Sequence, residues 1–447
     1  MSEELCFVAI NPYTIRKSRT GGVIGRLLSR SSLELVAARM YAPSRELVEE
    51  YLSTIPARRN DPDRQVRTLI RNYVRLNYAP GPNGSRRRVM FLLFKGPNAC
   101  RELSEVVGHI TRSSLSGECI RDTYGDCIWS GRGTVRYFEP AVLIVPAGEA
   151  PGPSLRIWGR HAARDGGLLT DVIPWPKGVR PEETTVLIKP EIFSSRSIRA
   201  GNIIDIFSKA DLYIVAAKLL RMSVAQAEEF YGPVRDSLAE KLRGPVTARA
   251  RLALEKEFGF TLPEGTARGI GGRLNRLVAE DQFRQIVRFM TGRDAASTPP
   301  AERDAPGLVR CLALVYQGVD AVRKIRAIIG ATDPKKADVA TVRKEFGRDI
   351  MVNAAHASDS PENARREMGS STSSATTSGR RSRSTSPRVK SGRGDRRWPA
   401  AALRAPLRRS SRRTPSPSTP GRRRCAWRGR TWWGSAPASR TSTPPRT

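Results

Sequence analysis

The run Thr185-Val186-Leu187-Ile188-Lys189-Pro190-Glu191 sets the reading of the whole chain. A short apolar, β-branched stretch is stopped by a proline, which cannot donate to a ladder, so a strand ends at Lys189. The segments after it follow in a fixed order. Gly201 to Ser208 has helical spacing, with Ile203, Ile204 and Phe207 on one face. Leu212 to Leu219 reads as a second strand. Ser223-Val224-Ala225-Gln226 is a capping box that opens a further helix through Glu228, Glu229, Phe230 and Tyr231.

The same order occurs once before. Cys6-Phe7-Val8-Ala9-Ile10 is a strand closed by Asn11-Pro12, Gly22 to Ser29 is helical, Leu33 to Met40 is a strand, and Ser44 caps a helix over Val48 to Leu52. Later pieces match as well. Leu92-Leu93-Phe94-Lys95-Gly96 echoes Ala313-Leu314-Val315-Tyr316-Gln317-Gly318, and Cys119 to Gly125 echoes Thr341 to Gly347. The order predicts two copies of one α/β unit, over residues 5–148 and 184–368. Residues 149–183, rich in Pro, Gly and Arg, read as a linker with a short strand at Leu155 to Trp158. Residues 232–282 read as a charged helical insert, with helices over Ala248 to Phe258 and Gly272 to Glu280. Residues 55–88 interrupt the first copy in a similar way.

Charge is spread unevenly along the 447 residues. Residues 371–447 hold 20 Lys and Arg against the single Asp395, a net +19 of the chain's +34. From about 369 to 447, Ser, Thr, Arg and Pro dominate without periodicity, which predicts a disordered basic tail. Four of the seven tryptophans lie there, which is unusual for such a tail. Either the tail is out-of-frame translation of a GC-rich gene, or it is an Arg/Ser-rich segment that binds nucleic acid. The six cysteines form no CxxC pair and read as free thiols in a reducing compartment. No basic leader with an apolar core opens the chain, and no stretch is long and apolar enough for a membrane span. The expectation is a cytoplasmic protein with no membrane partner.

His356 lies in Asn353-Ala354-Ala355-His356-Ala357-Ser358-Asp359-Ser360, and the other two histidines, His109 and His161, lie outside the second copy. A lone histidine is usually structural. A neutral imidazole can also attack phosphorus and carry the phosphoryl group as an intermediate. With no Walker sequence and no Gly-rich kinase loop, the cations for such a transfer must come from scattered side chains. Ser358-Asp359 beside His356 does not make a hydrolase triad, since the nucleophile elbow is absent.

Three runs together carry a resemblance: Thr185 to Glu191; Gly330-Ala331-Thr332-Asp333-Pro334 with Thr341-Val342-Arg343 and Phe346-Gly347; and Asn353 to Ala364. Residues 184–368 resemble nucleoside diphosphate kinases. The resemblance implies two ferredoxin-like α+β domains with antiparallel sheets and helices on one face. It implies transfer of a γ-phosphoryl group from a nucleoside triphosphate to a nucleoside diphosphate, by ping-pong through a phosphohistidine. Its nucleophile falls on His356 and its phosphate-binding lysine on Lys189. Arg326, Thr332 and Arg343 match the phosphate grip, and Asn353 the contact to the sugar hydroxyl. Tyr231 matches a residue packed near the histidine, Glu367 the carboxylate that orients it, and Ser358 the hydroxyl beside the phosphoryl site. Ile286 and Ile350 match the apolar base-lining positions. Mg²⁺ is implied through the nucleotide phosphates.

There are departures. Gln282 stands where an aromatic stacks on the base, and Ala357 where a glycine follows the histidine. In the first copy, Asn11 stands at the lysine position, Ser104 at the first arginine and Arg121 at the second. No histidine occurs in Trp129 to Thr134, where the counterpart of His356 is expected. That copy is expected to be inactive and to pack against the active one, as an internal pseudo-dimer or within a homo-oligomer. The competing expectation is a catalytically weak nucleotide- or nucleic-acid-binding scaffold that uses the basic tail.

Overall fold

The computed structural model describes residues 3–111, 117–130 and 134–372; residues 369–372, expected in the disordered tail, continue the helix Pro361–Thr372, and the rest of the basic tail lies outside the described residues. Ten strands are described: β1 (Glu3–Ile10), β2 (Glu34–Tyr41), β3 (Val89–Pro97), β4 (Asp126–Trp129), β5 (Val135–Glu139), β6 (Val142–Ile144), β7 (Glu182–Ile188), β8 (Tyr213–Leu220), β9 (Cys311–Gly318) and β10 (Ala355–Ala357). Eight of them form one sheet in the order β10-β7-β9-β8-β2-β3-β1-β6, while β4 and β5 make a separate ribbon. All pairings are antiparallel. Within each half the order is the ferredoxin-like one: the half's second strand, then its third, first and fourth.

The halves meet along β2 and β8, which pair at Arg39 and Lys218. Details on the two sides of this seam correspond. Each seam strand carries a register shift against its neighbour, between Leu35 and Ala37 in β2 and between Ile214 and Ala216 in β8. Arg88 Nη1 donates to the Ile214 carbonyl at 2.7 Å, and Arg310 Nη1 to the Leu35 carbonyl at 3.1 Å. Two helices, Thr20–Arg30 and Arg199–Phe207, cross over the same seam. They approach closely because Gly21, Gly25 and Gly201 have no Cβ; a methyl on Gly201 would run into the Gly21 carbonyl and the Gly25 backbone. Backbone cannot yield as a flexible side chain can. Gly201→Ala should therefore cost roughly 1–3 kcal/mol, read as a lowered midpoint in thermal or urea unfolding of the full chain.

Helices cover both faces of the sheet, not one as the sequence implied. The reason lies in the strands: Cys6 to Ile10 are buried without interruption, as are Val186, Leu187 and Ile188, so neither face is left polar. In β7, Val186 and Ile188 enter the main core while Leu187 enters a second cluster with Phe230, Tyr231, Phe283 and Val287. Alternation along the strand assigns these to opposite faces.

Three local expectations are corrected. Leu155 to Trp158 lie in a helix, Pro151–Arg160, started by proline at its first turn and packed through Trp158 against Tyr41 and Tyr51. The insert is a helical hairpin, Val224–Phe258 and Glu264–Thr291, far longer than the two stretches its periodicity marked. The first of these helices runs through Pro233 and Pro245, residues that read as breakers in sequence. Cys6 and Cys100, expected as free thiols, are joined in a disulfide; strand β1 and the helix Ala99–Val107 bring their Cα atoms to 5.3 Å. No helix among the described residues is long and apolar enough to cross a membrane.

Candidate active site

His356 sits in the short edge strand β10, opposite Leu187 of β7. Directly paired residues share a face, so the ring lies on the side covered by the helical hairpin. There it meets Phe230 and Tyr231, with ring centroids at 5.1 and 5.8 Å. The residue two before it, Ala354, has φ of +72°, a left-handed conformation that costs a non-glycine residue energy and turns the chain into β10. The Ala354 N–H is held by the Glu191 carboxylate at 2.9 Å and its carbonyl by the Lys189 N–H at 2.9 Å.

The imidazole is oriented from one side. His356 Nε2 lies 3.0 Å from Glu367 Oε2, which also accepts from Ser358 Oγ at 2.7 Å. Glu367 is buried on the helix Pro361–Thr372. A carboxylate here only accepts, which assigns the proton to Nε2 and the lone pair to Nδ1. Ser358 is itself fixed: its Oγ accepts from the Thr185 N–H at 3.3 Å. Its hydroxyl is thus turned toward Glu367.

Lys189 and Arg343 are placed by backbone carbonyls together with side-chain oxygens. Lys189 Nζ donates to Asn353 Oδ1 at 2.7 Å and to the Met351 carbonyl at 2.8 Å, and lies 5.7 Å from the centroid of the Phe289 ring. Burial pulls its pKa down to about 8; Arg343 lowers it further and Glu191 opposes the change. Arg343 spans the Gly330 carbonyl (3.0 Å), Thr332 Oγ1 (3.4 Å) and the Ala355 carbonyl (3.2 and 3.3 Å). Its pKa falls to about 10, first through burial and then through repulsion from Arg326. Arg326 is exposed on the helix Ala321–Ile329, and its charge also acts on Asp359.

Asn353 is fully engaged. Its amide nitrogen donates to the Thr332 and Ile350 carbonyls at 3.0 and 2.8 Å while its oxygen holds Lys189. It links the segments of Lys189, Thr332 and His356. Tyr231 is buried beside the histidine, and burial pushes its phenol well above the usual range. Ile286 is half-buried on the edge of the Tyr231 cluster, and Ile350 is exposed. Sequence reading did not single out Glu191, Phe230, Phe289 or Arg366 for this site. Of these, Glu191 and Phe230 lay inside quoted runs.

The first half has the same skeleton without the chemistry. The Asn11 N–H donates to the Ala141 carbonyl as that of Lys189 does to Ala354, and Ala141 also has positive φ, +59°. Arg121 reaches the Gly108 and Val142 carbonyls as Arg343 reaches Gly330 and Ala355. Ile10 pairs with Val142 as Ile188 pairs with Ala355, so the register puts Leu143, not a residue of Trp129 to Thr134, where His356 stands. Asn11 is buried in a network with Tyr78, Glu139 and Tyr73.

Among the described residues, the one group of three metal-ligating side chains is Glu46, Glu50 and His161, in another part of the fold. Arg164 and Arg160 already hold its two carboxylates, and Arg164 donates to His161 Nδ1 at 2.7 Å. Among the described residues, no such group converges on His356.

A family profile described as "Nucleoside diphosphate kinase" matches residues 182–240 and 307–374; the gap between them falls within the hairpin and the loop after it. The chain is similar to the nucleoside diphosphate kinase of Halorhodospira halophila, 32% identical over 187 residues, covering 42% of this chain and 89% of that protein. It is similar to that of Bdellovibrio bacteriovorus at 33%, with the same coverage. It is similar to that of Beijerinckia indica at 36% over 133 residues, covering 26% of this chain and 92% of the relative.

Proposed function

We propose, since this chain belongs to the nucleoside diphosphate kinase family, that its second half transfers the γ-phosphoryl group between nucleotides through His356. The observation that carries the reading is the hydrogen bond from Nε2 to Glu367, which leaves the Nδ1 lone pair available. Nδ1 attacks the γ-phosphorus, the bond to the bridging oxygen breaks, and the nucleoside diphosphate leaves with that electron pair. A terminal oxygen of a second nucleoside diphosphate then attacks, and the P–N bond breaks. Glu367 stabilises the imidazolium character that develops at the Nε2 side. Lys189, Arg343 and Arg326 offset the charge on the phosphoryl oxygens, with Thr332 as a further donor. Mg²⁺, held through the nucleotide phosphates, supplies further charge neutralisation when bound. Asn353 keeps Lys189 aimed, and Ile286 and Ile350 offer apolar contact to the base.

The first half, with Asn11 and Leu143 at the key positions, acts as an inactive built-in partner: its β2 occupies the edge of β8 along the seam. Steady-state transfer from ATP to dGDP tests the reading. Parallel double-reciprocal lines at several dGDP concentrations are expected; intersecting lines, or no transfer, contradict it.

Gln282 is half-buried on the helix that also carries Ile286 and Phe289. Stacking a base on an aromatic contributes roughly 1–3 kcal/mol. Gln282→Phe should therefore lower the nucleotide KM about tenfold, measured in the same transfer assay, with kcat little changed.

A further inference from the structure

The helix Val224–Phe258 contains Pro233, and proline has no N–H. In an unbroken helix the N–H of residue 233 would bond to the carbonyl of Glu229, four residues earlier. That carbonyl has lost its helical donor, and at this exposed position it is open to water or to a side-chain donor. Arg366, from the helix Pro361–Thr372, supplies what is missing. Its Nη1 donates to the Glu229 carbonyl at 2.9 Å and to the Phe230 carbonyl at 3.0 Å. Its Nη2 reaches Glu367 Oε1 at 3.4 Å, and its Nε reaches Asn363 Oδ1 at 3.4 Å. One guanidinium thus holds the break at the base of the helical hairpin and the carboxylate that orients His356. The carbonyl it grips at Phe230 belongs to the residue whose ring lies against the imidazole.

We infer that Arg366 is a positioning residue: it locks the proline break of the hairpin to Glu367 and so holds His356 with its proton on Nε2 and its lone pair on Nδ1. This rests on the phosphotransfer reading for its consequence, though not for its geometry. Arg366 is bonded to none of Lys189, Thr332 and Arg343, so its loss should act on the chemical step and not on nucleotide binding.

The test uses the full chain with ¹⁵N-labelled histidine. Only three histidines contribute signals. In the wild type, the ring nitrogens of His356 should report the Nε2–H tautomer. In Arg366→Gln, whose shorter neutral side chain cannot span the two carbonyls and the carboxylate, the two nitrogen shifts should move toward each other as the tautomers mix. Single-turnover phosphorylation by ATP should slow about tenfold with nucleotide KM unchanged. Arg366→Lys keeps the charge but cannot span the carboxylate and both carbonyls, and should fall between. Wild-type nitrogen shifts and a wild-type rate in Arg366→Gln would overturn the inference. If the wild type takes no phosphate at all, the phosphotransfer reading fails, and the nitrogen shifts still decide whether Arg366 sets the tautomer.

Discussion

Replacing His356 with alanine is expected to abolish phosphate exchange between nucleotides while leaving the fold in place. Loss of a covalent nucleophile costs on the order of 10⁶ in kcat in a well-studied hydrolase. No other histidine offers a substitute path. His161 is buried in the network with Glu50, Arg164 and Asp165, and His109 lies in the first half. The ring of His356 is partly exposed at the edge of the sheet, and alanine is tolerated in a three-residue strand held by Ile188, Leu187 and Val186. Stability should therefore fall by no more than about 1 kcal/mol, close to the typical single substitution. Far-UV circular dichroism and unfolding midpoints check the fold, and an ATP-to-dGDP assay checks the activity. Exchange retained within tenfold of wild type would contradict the assignment.

Lys189→Ala is expected to give the next largest loss, about 10²–10³-fold in kcat/KM, in line with removal of one preorganised donor from a site of developing charge. Its cause is specific. Lys189 is buried, carries its charge at a cost, and is aimed by Asn353 and the Met351 carbonyl. Burial lowers its pKa to about 8, below the usual lysine range. A group with a depressed pKa loses its proton as pH rises through that value. The cationic form that grips phosphate is thus full below about pH 7 and is lost above about pH 8 in the free protein. Since kcat/KM reports the free enzyme, its profile should bend down on the alkaline side near pH 8. Lys189→Arg should move the bend to higher pH, because a guanidinium keeps its proton. Arg343, with a pKa near 10, loses charge only later. A profile flat from pH 7 to 10 in the wild type would contradict this account of Lys189.

Much of the site was legible because its residues are tied to local signals. The strand that ends at Lys189-Pro190 and the capping box at Ser223 and Gln226 both stand as read, the latter with its reciprocal bonds at 3.1 Å. Arg343, Asn353 and His356 were named through the resemblance, and they lie within one compact segment of the sequence. Other features depend on contacts that no local pattern encodes. Pro233 and Pro245 signal breaks, yet the helix passes through both; at Pro233 an arginine more than 130 residues later replaces the lost donor. Leu143 takes the place of the histidine because the β1–β6 register decides it, and motif spacing pointed earlier in the chain. Cys6 and Cys100 are 94 residues apart and meet only once β1 and its helix pack. Leu155 to Trp158 were expected as a short strand, and a proline start with tertiary contacts to Tyr41 and Tyr51 decided for helix.

The most direct measurement is the phosphoenzyme itself. The full chain is incubated with γ-labelled ATP, freed of nucleotide, digested at alkaline pH and mapped by mass spectrometry. One acid-labile, base-stable phosphoryl group per chain, on His356 and discharged by added dGDP, is the predicted result. A phosphoryl group on a serine, or a label that persists when His356 is alanine, would contradict it.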